Sequence, residues 1–195
     1  NGEYVVEGGK TLYGYKKPEF SQIMLNTVKL SKEITAEDLI IKVDSNASKA
    51  EVRVIGAKPT SLLTDALEAE LDVVNGVVVP STEEDVLRIA CIERYGKGGS
   101  IGKSFIKGFG ISKGAIATSV GHDHHNITVV GSDAEDMAVA VNRIHELGGG
   151  IIIAEDGKVK YELPLPICGL LTDRSGEESA LILDQMQKDL HSKGC

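Results

Sequence analysis

The sequence predicts an α+β fold, mainly antiparallel sheet joined by hairpins, with helices packed on the outer faces. Three observations carry this. In "ALEAELDVVNGVVVP", residues 66–80, Leu67, Ala69, Leu71 and Val73 alternate with Glu68, Glu70 and Asp72. That period of two marks a half-buried strand. Asn75-Gly76, and later Asp156-Gly157 in "IIIAEDGKVKYELP", supply the turn residues of two-residue hairpins. Met137, Ala140, Val141, Ile144 and Leu147 recur at helical spacing and give one apolar stripe.

The other elements follow in order. "EYVVEGG" reads as a short strand ending at Gly8 and Gly9, and "YGYKKPEFSQIM" as a connecting arm. Thr35, one turn before Asp38, caps a short helical turn. "DLIIKVD" and "AEVRVIGA" read as strands. "DVLRIACIERY" fits a central strand, and Val86, Ile89 and Ala90 also fit a helix, so both readings stand. Residues 96–114 are rich in glycine and suit turns and close backbone approach. "AIATSV" and "NITVV" are short strands. Ser132 with Glu135, and Ser175 with Glu178, form capping boxes for two helices. Gly148 to Gly150 ends the first, and Ala180, Leu183 and Met186 begin the stripe of the second.

Composition narrows function. A chain of 195 residues suits one domain with a short appended segment. Its net charge of −8 repels phosphate backbones, and it has no Trp and only 4% aromatic residues, so nucleic acid is not an expected partner. No run of 18 apolar residues is present, and no membrane role is expected. Cys91, Cys168 and Cys195 lie far apart with no CxxC, which points to a reduced, cytoplasmic chain. The chain opens at Asn1 in mid-pattern, so an excerpt of a longer protein is expected.

The densest chemistry is "GHDHHN", where His122, Asp123, His124, His125 and Asn126 are consecutive. On an extended strand His122 and His124 would share a side, which suits two metal ligands, but a site needs three or four. A polar turn bonded to its own backbone is a second reading. A loop projecting donors into a shared cleft, with one histidine as acid, base or donor, is a third. Gly102-Lys103-Ser104 has the ending of a phosphate-binding loop, but the required first glycine falls at Lys97. Glu93-Arg94-Tyr95 reads by default as an internal ion pair or structural hydrogen bond. Cys91 has no neighbouring base and is not an expected nucleophile.

The run "CIERYGKGGSIGKSFIKGFGISKGAIATSVGHDHHNITVVGSDAEDMAVAVNRIHELGGG", with "LPLPICGLLTD", resembles the C-terminal domain of bacterial and archaeal adenine deaminases of the amidohydrolase superfamily. The matching blocks are Glu93-Arg94, Lys107-Gly108-Phe109-Gly110, Gly114-Ala115, His122-Asp123, His125-Asn126 and Gly148-Gly149. The resemblance implies that residues 1–30 are the tail of a preceding small β-domain and an arm, and 31–195 the C-terminal domain. It implies hydrolysis of adenine to hypoxanthine and ammonia by the full-length protein, with this chain alone inactive. The manganese or iron centre belongs to an upstream (β/α)₈ barrel, so no metal-centre barrel and no metal are expected here, with His122 and His124 only weak ligand candidates. His124 departs from the family block, where a small polar residue often stands. His122, Asp123, His125 and Asn126 are the candidates to line or cap the active site. Glu93, Arg94, Lys107, Gly108, Gly110 and Ser119 are further cleft or loop candidates. The implied partners are the protein's own barrel, adenine and further copies in a homo-oligomer. A stand-alone purine- or metal-binding module, and a purely structural or oligomerisation domain, are the alternatives.

Overall fold

The computed structural model describes residues 2–14, 16–43 and 46–195. It begins with a small hairpin, β1 (Val6–Glu7) and β2 (Lys10–Thr11), turned by Gly8 and Gly9. Two short helices follow, α1 (Gln22–Leu25) and α2 (Ala36–Leu39). The Asp38 carboxylate accepts from the Thr35 amide at 3.0 Å, as the sequence predicts. The remaining strands are β3 (Lys49–Gly56), β4 (Asp65–Val74), β5 (Val77–Val78), β6 (Val86–Ile92), β7 (Ile101–Lys107), β8 (Ala115–Thr118) and β9 (Ile127–Gly131). After α3 (Ala134–Leu147) come β10 (Gly150–Glu155), β11 (Lys158–Pro164) and α4 (Gly176–Ser192).

Nine strands form one sheet in the order β11-β10-β8-β9-β6-β7-β3-β4-β5. Every pairing is antiparallel except β3 with β7. The α+β class is therefore the observed one, and no barrel closes. β6 settles as a central strand between β9 and β7, because its residues on both faces are covered.

The helices lie on opposite faces of the sheet. Ile152 and Ala154 of β10 join the core under α3, whereas Ile153, flanked by Ile151, packs with Met186 of α4. That is the side-chain alternation of a strand. Met137, Ala140, Val141 and Ile144 of α3 are fully buried on the sheet, each larger side chain contributing roughly 1.5–3 kcal/mol. Val28, Ile34 and Leu39 close the same core from the N-terminal side.

Four expectations need correction. The N-cap of α3 is Asp133, whose carboxylate accepts from the Glu135 and Asp136 amides at 2.8 and 3.0 Å, whereas the Ser132 hydroxyl turns to the Gly114 carbonyl. The buried face of α4 runs through Ile182, Met186 and Leu190, with Ala180 and Leu183 exposed. Residues 40–43 of "DLIIKVD" form only an isolated bridge, Lys42 with Val77, since Asp38 and Leu39 belong to α2. Asp44 at its end, Tyr15 of the arm and Asn1 lie outside the described residues. Finally, the glycine-rich stretch contains β7, which places Gly102-Lys103-Ser104 inside a strand, where no phosphate-cradling loop can form.

Candidate functional site

The direction of β6 sorts the sequence-predicted site residues into two groups. At the start of β6, Val86 pairs with Lys107; at its end, Ile92 pairs with Ile127. A strand of this length separates its ends by about 20 Å. Lys107, Gly108 and Gly110 therefore lie at one end of the sheet. Glu93, Arg94, Ser119 and the 121–126 loop lie at the other.

The first group is organised by Asp85, which the sequence reading missed. Its carboxylate accepts from the Gly108 amide at 2.8 Å and the Gly110 amide at 2.6 Å. Gly110 has φ 66°, and a Cβ there would stand 2.1 Å from the Gly194 carbonyl oxygen. Gly110 lets the turn after β7 lie close against the C-terminal end of α4, while Gly108 lies against Ala57 after β3. Lys107 is exposed beside them.

The second group is built around Arg94 and Ser119. Ser119 is wholly buried; its hydroxyl donates to the Gly169 carbonyl at 2.6 Å and accepts from the Gly150 amide at 2.9 Å. Arg94 is 2% exposed. Its Nε donates to the His125 carbonyl, and its Nη2 to the Cys168 carbonyl at 3.1 Å. Of the two default readings for Glu93-Arg94, the structural hydrogen bond is the one found. The Glu93 carboxylate accepts from the amides of Tyr95, Lys97 and Gly99. Burial raises its pKa, but those amides outweigh it and hold the carboxyl below its ordinary range.

The loop itself is tied through its backbone. The Tyr95 hydroxyl donates to the His124 carbonyl at 2.8 Å, and the His125 amide donates to the Gly121 carbonyl. His124 Nδ1 accepts from the Asn126 amide at 2.9 Å, so this ring is turned into its own loop over Gly121. His122 and Asp123 project outward. Both side chains are 89% exposed, and His122 Nδ1 contacts the Asp123 carboxylate. The rings of His122 and His125 lie 6.3 Å apart, nearly edge to face. Two buried atoms in the loop, His125 Nδ1 and Asn126 Oδ1, have no hydrogen-bond partner among the described residues. Cys91, below the loop, has its thiol pKa raised by burial, opposed by hydrogen bonds with Asn126 and Thr128.

Among the described residues no three His, Cys, Asp or Glu side chains gather as metal ligands. His122 and His124 would need a third and fourth ligand beside them, and none gathers there among the described residues, so these side chains do not make up a manganese or iron centre. What the arrangement offers is a hydrogen-bonded base from which a histidine and a carboxylate project outward. Sequence reasoning did not connect Cys168 and Gly169 to this base. The one readable signal was Gly169 in "PICGLL"; in the structure both residues have positive φ, 57° and 70°.

The chain belongs to the adenine deaminase C-terminal domain family, whose model matches residues 61–195. It is 46% identical, over 88% of its length, to adenine deaminase 1 of Carboxydothermus hydrogenoformans, of which it spans 28%. Over its whole length it is 36% identical to the adenine deaminase of Desulforamulus reducens and 40% identical to adenine deaminase 2 of C. hydrogenoformans, spanning 33% of each. The chain thus spans no more than a third of these relatives. No helix among the described residues is long and apolar enough to cross a membrane.

Proposed function

We propose that this chain is the C-terminal domain of a cytoplasmic adenine deaminase, and that its 121–126 loop caps or lines the active site of a preceding barrel. The observation that carries the reading is the contrast between the loop's tip and the residues beneath it. His122 and Asp123 are almost fully exposed, while Arg94 and Ser119, which hold the neighbouring backbone, are almost fully buried. A polar turn with no task has no need of so well bonded a base. Pre-positioned side chains are what a second domain contributes to a cleft.

Deamination replaces the exocyclic amino group of adenine with oxygen from water and releases ammonia. Manganese or iron in the barrel would activate the water. A proton must also reach a ring nitrogen and the departing nitrogen. In this reading His122 would hold such a proton; it contacts Asp123, and His125 lies beside it. Covering the cleft with this loop would also exclude bulk water. A homo-oligomer is the expected assembly.

The reading is supported by the family and by relatives named adenine deaminase. Turnover and metal content of this chain, beside those of the full-length protein, test it. Deamination with bound metal in the full-length protein, and neither in the fragment, is the expected result. Stoichiometric metal bound by the fragment alone would overturn it.

A further inference from the structure

A cleft of about 400 Å³ opens beside the loop, lined by Asn26, Thr27, Lys29, Arg94, Tyr95 and His125, with Cys168 and Leu170 behind. Its charge is unbalanced. Arg94 is 2% exposed; its hydrogen bonds go only to carbonyl groups, its guanidinium lies 5.1 Å over the Tyr95 ring, and no carboxylate pairs with it among the described residues. Its Nη1 has no hydrogen-bond partner there, nor have Thr27 Oγ1 and His125 Nδ1. Lys29 adds an exposed side chain, and among the described residues no Asp or Glu lines the cleft, in a chain that carries 29 acidic residues. The adjacent Glu93 carboxylate is engaged by three backbone amides. A guanidinium withdrawn from water without a counter-charge is costly, and an anion placed against it recovers much of that cost.

We propose that this cleft is a carboxylate socket, filled in the full-length protein by an Asp or Glu side chain from the polypeptide that precedes this chain. The inference rests on the chain being one domain of a longer protein, not on the catalytic role of the loop. One wall of the cleft, Asn26 to Lys29, is the end of the arm that leads back to that polypeptide. The arm is held to the opposite wall by the Cys168 amide, which donates to the Met24 carbonyl at 2.6 Å, and farther back it carries the exposed pair of Lys17 with Asp173 at 3.2 Å. The chain spans 28–33% of the relatives named above, and in a protein of that length the preceding polypeptide would be tethered to the socket at high effective concentration. Lys29 would bond the carboxylate directly, and Arg94 would act beneath it as charge.

Two experiments test this together. The first is an NMR titration of the 195-residue chain with acetate, with neutral acetamide as control. Acetate should shift the amides of residues 27–29, 94, 125 and 168 saturably, and acetamide should not. Lys29→Glu, at an exposed position, should weaken the response roughly tenfold or more. The second is zero-length carbodiimide coupling of the full-length protein, mapped by mass spectrometry. Lys29 should be joined to an Asp or Glu upstream of this chain. No saturable acetate response in the fragment overturns the socket. An acetate response with Lys29 uncoupled in the full-length protein overturns the tethered source and assigns the cleft to a free carboxylate. The loop's role is read by turnover instead, so either reading can fail alone.

Discussion

Arg94 Nη2 donates to the carbonyl oxygen of Cys168 at 3.1 Å, joining the end of β6 to a turn 74 positions later. Together with the bond from Nε to the His125 carbonyl, it fixes the candidate loop to the segment after β11. Arg94→Met removes both donors and leaves two buried acceptors. It should destabilise the chain by about 1–3 kcal/mol in denaturant unfolding. Arg94→Lys should not restore the loss, because one ammonium does not reproduce the planar fork. Full stability in Arg94→Lys would contradict this account of the loop's base.

Gly169 lies against the same guanidinium. A Cβ at this residue would stand 1.9 Å from Arg94 Nη1, and its φ is 70°. Gly169→Ala should therefore cost more than the roughly 1 kcal/mol of an ordinary positive-φ glycine, since the arginine must also move. A double-mutant cycle with Arg94→Met checks this. Strong non-additivity is expected, and simple additivity would show that the two residues act separately.

Ser119 and His122 should behave oppositely, although three positions apart. Ser119→Ala leaves the Gly169 carbonyl and the Gly150 amide without the buried hydroxyl, at a cost of about 1–3 kcal/mol. The His122 side chain is 89% exposed, so His122→Ala should change stability by no more than about 0.5 kcal/mol. Thermal melts of both variants decide the matter.

The attachment of α4 should be acid-sensitive. Lys193 and Lys160 hold the Glu155 carboxyl down from 4.5 to about 2, against the opposing effect of burial. In Asp189 burial raises the pKa, but bonds from the same two lysines outweigh it. Because the folded pKa is depressed, the Glu155 contribution is present above pH 4.5 and fades as the pH falls towards 2. Amide exchange in α4 should accelerate across that window before exchange in α3 does. In Glu155→Gln the acceleration should shrink, with a loss near neutral pH of about 1 kcal/mol.

Much of the sheet was legible because its strands carry their own signals. Leu67 to Val73 alternates cleanly, and the residues after Val74 and Glu155 demand turns, so those hairpins followed from sequence. β7 was hidden because Gly102, Lys103 and Ser104 have little strand preference, and only Phe105 and Ile106 are buried in it. Its neighbours β6 and β3 decide it. The face of α4 was misread because two apolar registers share Met186. Ile182 and Leu190 face the sheet, and the lysines around Asp189 fix that choice. The polar loop stood out at once. What its sequence could not show was that Lys107 to Gly110 lie at the far end of β6, or that Arg94 reaches Cys168. Both are consequences of strand direction and of long-range contact.

The most direct measurement is adenine turnover by the full-length protein carrying His122→Ala or His125→Ala, with folding checked by thermal melts. Neither side chain holds the loop's base, since Arg94 takes the His125 backbone carbonyl and His122 projects outward. The account predicts that kcat falls at least roughly a hundredfold in one or both variants while both still melt as folded proteins. Full turnover in both would contradict it and leave the loop as a structural turn.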